Sequence, residues 1–256
     1  MNRLRQQPWL GLVLMSLLVT VLSFLLLGVG SVYLKPGEIV AALQGDGSAF
    51  IVWNYRLPRT LLALLAGGCF ALSGVLLQAI IRNPLVSPDV IGVTNGAALF
   101  AVLTIALLPD GPLVLTPLAA MGGAALVMIA LMLLADHGKL QHSSFALLGI
   151  AVSAICASGT EYLLIKFPLQ TNDSLVWLAG SLFGKGWTEV YVLAPVFLIL
   201  GLAIWSGHRQ LDILSLSEDA AIGLGLRMKR TRYVFLALAV VLAGVAVAMV
   251  GSIGFL

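Results

Sequence analysis

Long apolar runs separated by short polar stretches dominate this chain from end to end. A bilayer's hydrocarbon layer is about 30 Å thick and takes about 20 apolar residues per helix. By that ruler the runs predict about seven spans, near residues 9–30, 58–81, 89–108, 113–135, 144–166, 188–206 and 233–252. Backbone groups in lipid must pair inside a helix or a closed barrel. The runs are too long and too uniformly apolar for the alternating strands of a barrel. The expected fold class is all-α, a polytopic transmembrane helical bundle.

The polar connections carry most of the remaining information. Between the first two spans, Pro36 and Glu38 predict a short surface helix over 39–43, ended by Gly45 and Gly47. The following Arg56-Leu-Pro-Arg59 places Pro58 in the first turn of a helix, where its missing N–H costs nothing. Arg56 and Arg59 would share one face at that helix mouth. They would either snorkel to lipid phosphates or receive acidic groups of an extracytoplasmic partner, since guanidinium pairs well with carboxylate. In the second span Gly67, Gly68, Ala71 and Gly74 form a small-residue ridge suited to close helix packing, or to lining a path that moves. Gln78 is a polar position near its inner end.

The run Arg82 to Gly92 reads as a tight turn. Arg82 complements a helix C-terminus, Pro84 stops that helix, and Ser87 with Pro88 and Asp89 opens the next. The fifth span carries Gly149, Ser153, Ala157 and Thr160 at helical spacing, with Glu161 as the acid set well inside a span. Ionisable residues in membranes are functional candidates by default, although Glu161 lies near the outer end, within reach of headgroups or Lys166. Farther on, Ser174 is expected to cap a short outer helix, and Trp177 and Trp187 suit the interfacial aromatic belt.

The stretch from His208 to Arg232 is polar and lies between two apolar runs. Ser215 and Glu218 match a capping box, with Ser217 as a competing cap. Glu218 and Asp219 then sit favourably in the first turn of a short helix, which Gly223 and Gly225 loosen or end. A short capped helix along the inner face suits reception of motion from a partner outside the membrane.

Composition agrees with the pattern: 60% of the residues are hydrophobic, 10% are charged, and mean hydropathy is +1.07. Soluble domains carry about 25% charged residues, so most of this chain faces hydrocarbon. With the N-terminus inside, Arg3, Arg5, Arg82, Lys139, Arg209, Arg227, Lys229, Arg230 and Arg232 fall on the cytoplasmic side. Lys35, Arg56, Arg59, Lys166 and Lys185 fall outside. The net charge of +3 therefore reports topology and gives no reason to expect nucleic-acid binding. The first run is too long for a signal peptide and lacks a cleavage site, so it reads as a retained span. Cys69 and Cys156 lie singly inside spans and read as small packing residues. No metal-ligand cluster, nucleotide-binding loop or nucleophile motif occurs, so neither catalytic residues nor a cofactor is expected.

Together these residues resemble the FecCD-type permeases, the iron-chelate and vitamin B12 permeases of bacterial ABC importers. The resemblance rests on Arg56-Leu-Pro-Arg59, the Gln78–Gly92 run with its Arg-Asn-Pro-Leu, Trp177-Leu-Ala-Gly-Ser181, the Leu211–Thr231 insert and Gly251-Ser-Ile-Gly-Phe255. The stretch from Trp177 to Trp187 is most similar to the ferric dicitrate and siderophore permeases. It implies a multi-pass bacterial inner-membrane subunit with a cytoplasmic N-terminus, and a single transmembrane permease domain over 1–256 with a coupling insert at 207–232. It also implies a second permease subunit, identical or paralogous, a cytoplasmic ATPase dimer and an extracytoplasmic binding protein. The matching coupling positions are Leu214, Ser215, Ser217, Glu218, Asp219, Ala220, Leu224 and Gly225. Arg56 and Arg59 match the docking positions, and Gly149, Ser153, Ala157, Thr160 and Glu161 are candidates for the path. Members of the family have about ten spans, so a chain ending at Leu256 is expected to be C-terminally incomplete. The rival expectation, a proton-coupled secondary transporter, would need more buried ionisable residues and broken helices.

Overall fold

The computed structural model describes residues 8–30, 32–47, 49–138, 142–214, 216 and 218–252. Among them the regular structure is helical, in the order α1 (Pro8–Gly28), α2 (Pro36–Leu43), α3 (Leu57–Ile81), α4 (Val93–Leu107), α5 (Leu115–Gly138), α6 (His142–Lys166), α7 (Thr171–Leu178), α8 (Trp187–Ser206), α9 (His208–Leu214), α10 (Glu218–Gly223) and α11 (Met228–Val250). A helical lead-in, Ala49–Ile51, and a π-helical turn, Val52–Arg56, run directly into α3. Among the described residues, six stretches are long and apolar enough to cross a membrane: Trp9–Gly28, Ala49–Ile81, Leu115–Leu134, Ala146–Lys166, Trp187–Ser206 and Met228–Val250.

The third expected span, near 89–108, is the shorter helix α4. It starts at Val93 rather than near 89, because Gly92 at its N-cap takes a left-handed conformation with φ 85°. Its 15 residues rise about 1.5 Å each, about 22 Å in all, short of the hydrocarbon thickness. The irregular turn ahead of it keeps Val86 and Ile91 buried. Such backbone is tolerated at membrane depth only where protein surrounds it. Ser87 accepts the Val90 amide at 3.4 Å, so it caps this turn and not the helix.

The chain divides into two compact units, Met1–Leu64 with Gly184–Val190, and Leu65–Phe183 with Tyr191–Leu256. In the first unit Leu27, Leu34, Ile39, Ala42 and Val52 make a buried cluster. Helix α2 is the expected surface helix, begun by Pro36 after Lys35, whose amide donates to Glu38 Oε2 at 2.9 Å. Trp53 donates its indole N–H to the Ala42 carbonyl at 3.1 Å, and Trp187 donates to the Trp53 carbonyl at 2.8 Å. Both rings join a polar N–H contact to an apolar body, as interfacial tryptophans do.

In the second unit α4 packs on α5, α6 and α11, and α11 packs on α5. Lipid gives helices no hydrophobic reason to associate, so close backbone approach and van der Waals contact hold them. The tightest crossing is Gly96 on α4 against Gly123 on α5. A Cβ on Gly96 would lie 2.9 Å from the Gly123 carbonyl oxygen, and one on Gly123 would lie 2.9 Å from Phe100 Cβ. The expected ridge on α3 behaves differently: a Cβ on Gly67 or Gly74 meets nothing, and only Gly68 faces a neighbour, Phe197. Cys69 and Cys156 are free and buried. Ser174 lies inside α7 and is buried. The helix begins earlier, at Thr171, whose hydroxyl donates to the Leu164 and Phe167 carbonyls.

Candidate functional site

At the mouth of α3 the π turn ends on Arg56. Its Nη1 donates to the carbonyls of Leu27 at 2.7 Å and Gly28 at 3.0 Å, and its Nη2 donates to that of Val32. These carbonyls lie at and just beyond the end of α1, where a helix leaves acceptors unpaired. Arg56 thus fastens the end of α1 to the start of α3. Carbonyls do not neutralise a guanidinium, and further N–H donors remain on the group, so the positive charge is kept. Arg59 is half-buried one turn on.

On α6 the small residues divide by role. A Cβ added to Gly149 would lie 3.0 Å from Ile91 Cα, and one on Gly92 would lie 3.0 Å from Ser153 Cα. Gly149 and Ser153 therefore let α6 lie directly against the turn before α4. Ser153 donates its hydroxyl to the Asp89 carbonyl at 3.2 Å and accepts the Asn95 side-chain amide, while Thr94 donates its hydroxyl to Asp89 Oδ1. Asp89, Thr94 and Asn95 complete a polar cluster that the sequence pattern did not mark. Asp89 reads from the sequence as an ordinary first-turn residue. Farther along, Ala157 is half-buried, and Thr160 is buried with its hydroxyl on the Cys156 carbonyl at 3.0 Å. Glu161 is exposed. Lys166 holds its ammonium 5.4 Å from the Tyr162 ring.

At the other end of the chain's polar features, α9 and α10 make up the insert between α8 and α11. Leu214, the last residue of α9, is fully buried, and Ala220 is exposed on α10. Leu226 donates its amide to the Ala221 carbonyl and Gly225 takes φ 82°, so the insert turns sharply before α11. Leu216, Ile222 and Leu224 are exposed large apolar residues in this polar stretch. Ser215 and Ser217 lie outside the described residues, as do the side chains of Glu218 and Asp219, so the expected cap is not described. Two further motifs meet each other. A Cβ on Gly251, at φ 83°, would lie 2.5 Å from the Trp177 carbonyl oxygen, and Ser181 donates its amide to the Val250 carbonyl at 2.8 Å.

Among the described residues, six long apolar helices, a short seventh with irregular backbone ahead of it, and a polar helical insert define a multi-pass membrane protein. The FecCD transport family model matches residues 17–256, and the chain belongs to that family. It is 43% identical over 257 residues to an Fe(3+)-citrate import system permease protein of Bacillus subtilis, covering 100% of this chain and 77% of that protein. It is 40% identical over 212 residues to the Fe(3+) dicitrate transport system permease protein FecD of Escherichia coli, covering 83% and 66%. A solved structure described as an inward-facing metal-chelate type ABC transporter superposes with a TM-score of 0.79 at 29% identity, covering 93% of this chain and 74% of that one.

Proposed function

We propose that this chain is the transmembrane permease subunit of an ATP-driven importer that carries a ferric chelate, of dicitrate or siderophore type, across a bacterial cytoplasmic membrane. The observation that supports it most is an insert with exposed Leu216, Ile222 and Leu224 between two membrane-crossing helices, in a chain whose relatives are iron-chelate permeases. Apolar side chains projecting from a short polar insert suit a protein partner. In this reading the N-terminus is cytoplasmic, and a cytoplasmic ATPase dimer grips Leu214 to Gly225. An extracytoplasmic binding protein docks by acidic groups at Arg56 and Arg59. A second permease subunit completes the path, to which α6 contributes its face of Gly149, Ser153, Ala157 and Thr160. ATP chemistry belongs to the separate subunit, and this chain changes which side the path opens to.

The reading is tested at the insert. Reversing Glu218 and Asp219 to Lys is expected to cut recovery of the cognate ATPase in a pull-down from solubilised membranes by about tenfold, the scale of one lost charged contact. Recovery equal to that of the unsubstituted permease would show that this face does not receive the ATPase. Glu161 offers a complementary measurement. A proton-coupled carrier would need its acid, whereas an exposed acid beside an ATP-driven path does not move charge. Glu161→Gln is therefore expected to leave ATP-driven ferric citrate uptake into cells within about twofold of the original. Abolished uptake at normal abundance would return the proton-coupled reading.

A further inference from the structure

We infer that the segment from Arg82 to Gly92 is the element that carries movement of the insert to the face of α6, and that Arg82 is the residue that positions it. The inference rests on the proposed coupling role of the insert. Arg82 is the one non-glycine with positive φ among the described residues, at 54°. A left-handed conformation costs a residue with a Cβ about 1–2 kcal/mol, so neighbouring contacts must hold it there. The contact visible is long-range: Arg82 Nε donates to the Leu214 carbonyl at 3.1 Å. Leu214 ends α9, where a helix carbonyl has no partner of its own. Arg82 therefore fastens the start of the turn to the end of α9 within the insert.

The far end of the same segment is fastened to α6. Ile91 and Gly92 lie against Gly149 and Ser153 with no room for another carbon, and the Ser153 hydroxyl is held on the Asp89 carbonyl. Thr94 and Asn95 tie Asp89 and Ser153 into one group. Between these two attachments, Val86 and Ile91 are buried and the Val86 carbonyl accepts from Gln78 at 3.4 Å. A short segment pinned by polar contacts at both ends, with Pro84 and Leu85 exposed but Val86, Pro88 and Ile91 buried, moves as a body, because the packed neighbours that hold it do not deform continuously. Displacing Leu214 would pull Arg82, and displacing Asp89 to Gly92 would shift the wall of α6 at Gly149 and Ser153. Arg82 Nη2 is buried with no hydrogen-bond partner among the described residues. That leaves a donor ready for a second carbonyl when the insert shifts.

The test uses the complete importer in liposomes, with Ala157→Cys on α6 as a reporter and a maleimide as the probe. The unsubstituted complex should show a labelling rate at that position that changes on adding ATP with vanadate. Arg82→Ala is expected to shrink that change by about tenfold while the ATPase still co-purifies, and Arg82→Lys is expected to restore part of it by donating to the same carbonyl. Ser153→Ala cuts the other attachment and is expected to shrink the change likewise, so it decides the matter if Arg82→Ala does not accumulate. An ATP-dependent change as large in Arg82→Ala or Ser153→Ala as in the original overturns the inference, and so does the lack of any change in the original. An ATPase that fails to bind the original complex instead removes the proposed function itself.

Discussion

Gly123→Val is expected to reduce the folded permease in membranes to about a tenth of the original or less. The crossing of α4 and α5 brings the Gly96 and Gly123 backbones into contact, with Phe100 Cβ closing the remaining side. Adding a branched side chain there forces the helices apart, and overpacking of a well-filled interior costs about 1–3 kcal/mol or more. Each 1.4 kcal/mol is about tenfold in an equilibrium, and α4 cannot retreat without disturbing α6 and α11, which it also packs against. Gly122→Ala is the matched control, because a Cβ at Gly122 meets nothing within 4 Å. Immunoblots of membranes and the monodisperse peak in size-exclusion chromatography would report both variants. Equal abundance of Gly123→Val and Gly122→Ala would mean that the two backbones do not touch.

Removing the Arg56 guanidinium is expected to be the next most damaging change. Arg56→Leu takes the guanidinium donors from the carbonyls of Leu27 and Val32 and leaves that of Gly28 with the Leu34 amide alone. Hydrogen bonds to charged groups contribute about 1.5–3 kcal/mol each, with strong non-additivity, so a total loss of about 2–4 kcal/mol is expected. Arg56→Lys should recover little of it, since one ammonium cannot span the set of carbonyls that a planar fork reaches. The thermal midpoint in detergent and proteolysis near residues 29–34 would both report the loosened end of α1. Were Arg56→Leu to melt with the original while losing capture of the binding protein, the clamp would be immaterial and docking its sole use.

The spans were legible in the sequence because hydrocarbon imposes one requirement, sustained apolarity, that any run of the right length displays. The insert was legible for the converse reason, as polarity where lipid should continue. The start of α4 was not. Its position depends on Gly92 adopting a left-handed cap, and the Ser-Pro-Asp ahead of it has equally good reasons to begin a helix. Long-range partners were also hidden. Arg82 reads as a helix-ending cation, and nothing local shows that it reaches Leu214. The glycine ridge of α3 and the Gly96–Gly123 crossing look alike as composition. Only the course of the neighbouring helix decides which glycine needs its bare backbone.

The π-helical turn at Val52–Arg56 makes this stretch intolerant of altered length. One residue more or fewer there would rotate everything upstream by about 100° relative to α3. The Arg56 guanidinium would then point away from the end of α1. Connections outside the membrane usually absorb insertions and deletions freely. Here the count of residues is itself part of the lock, and a frame-preserving deletion should prove as harmful as losing the arginine.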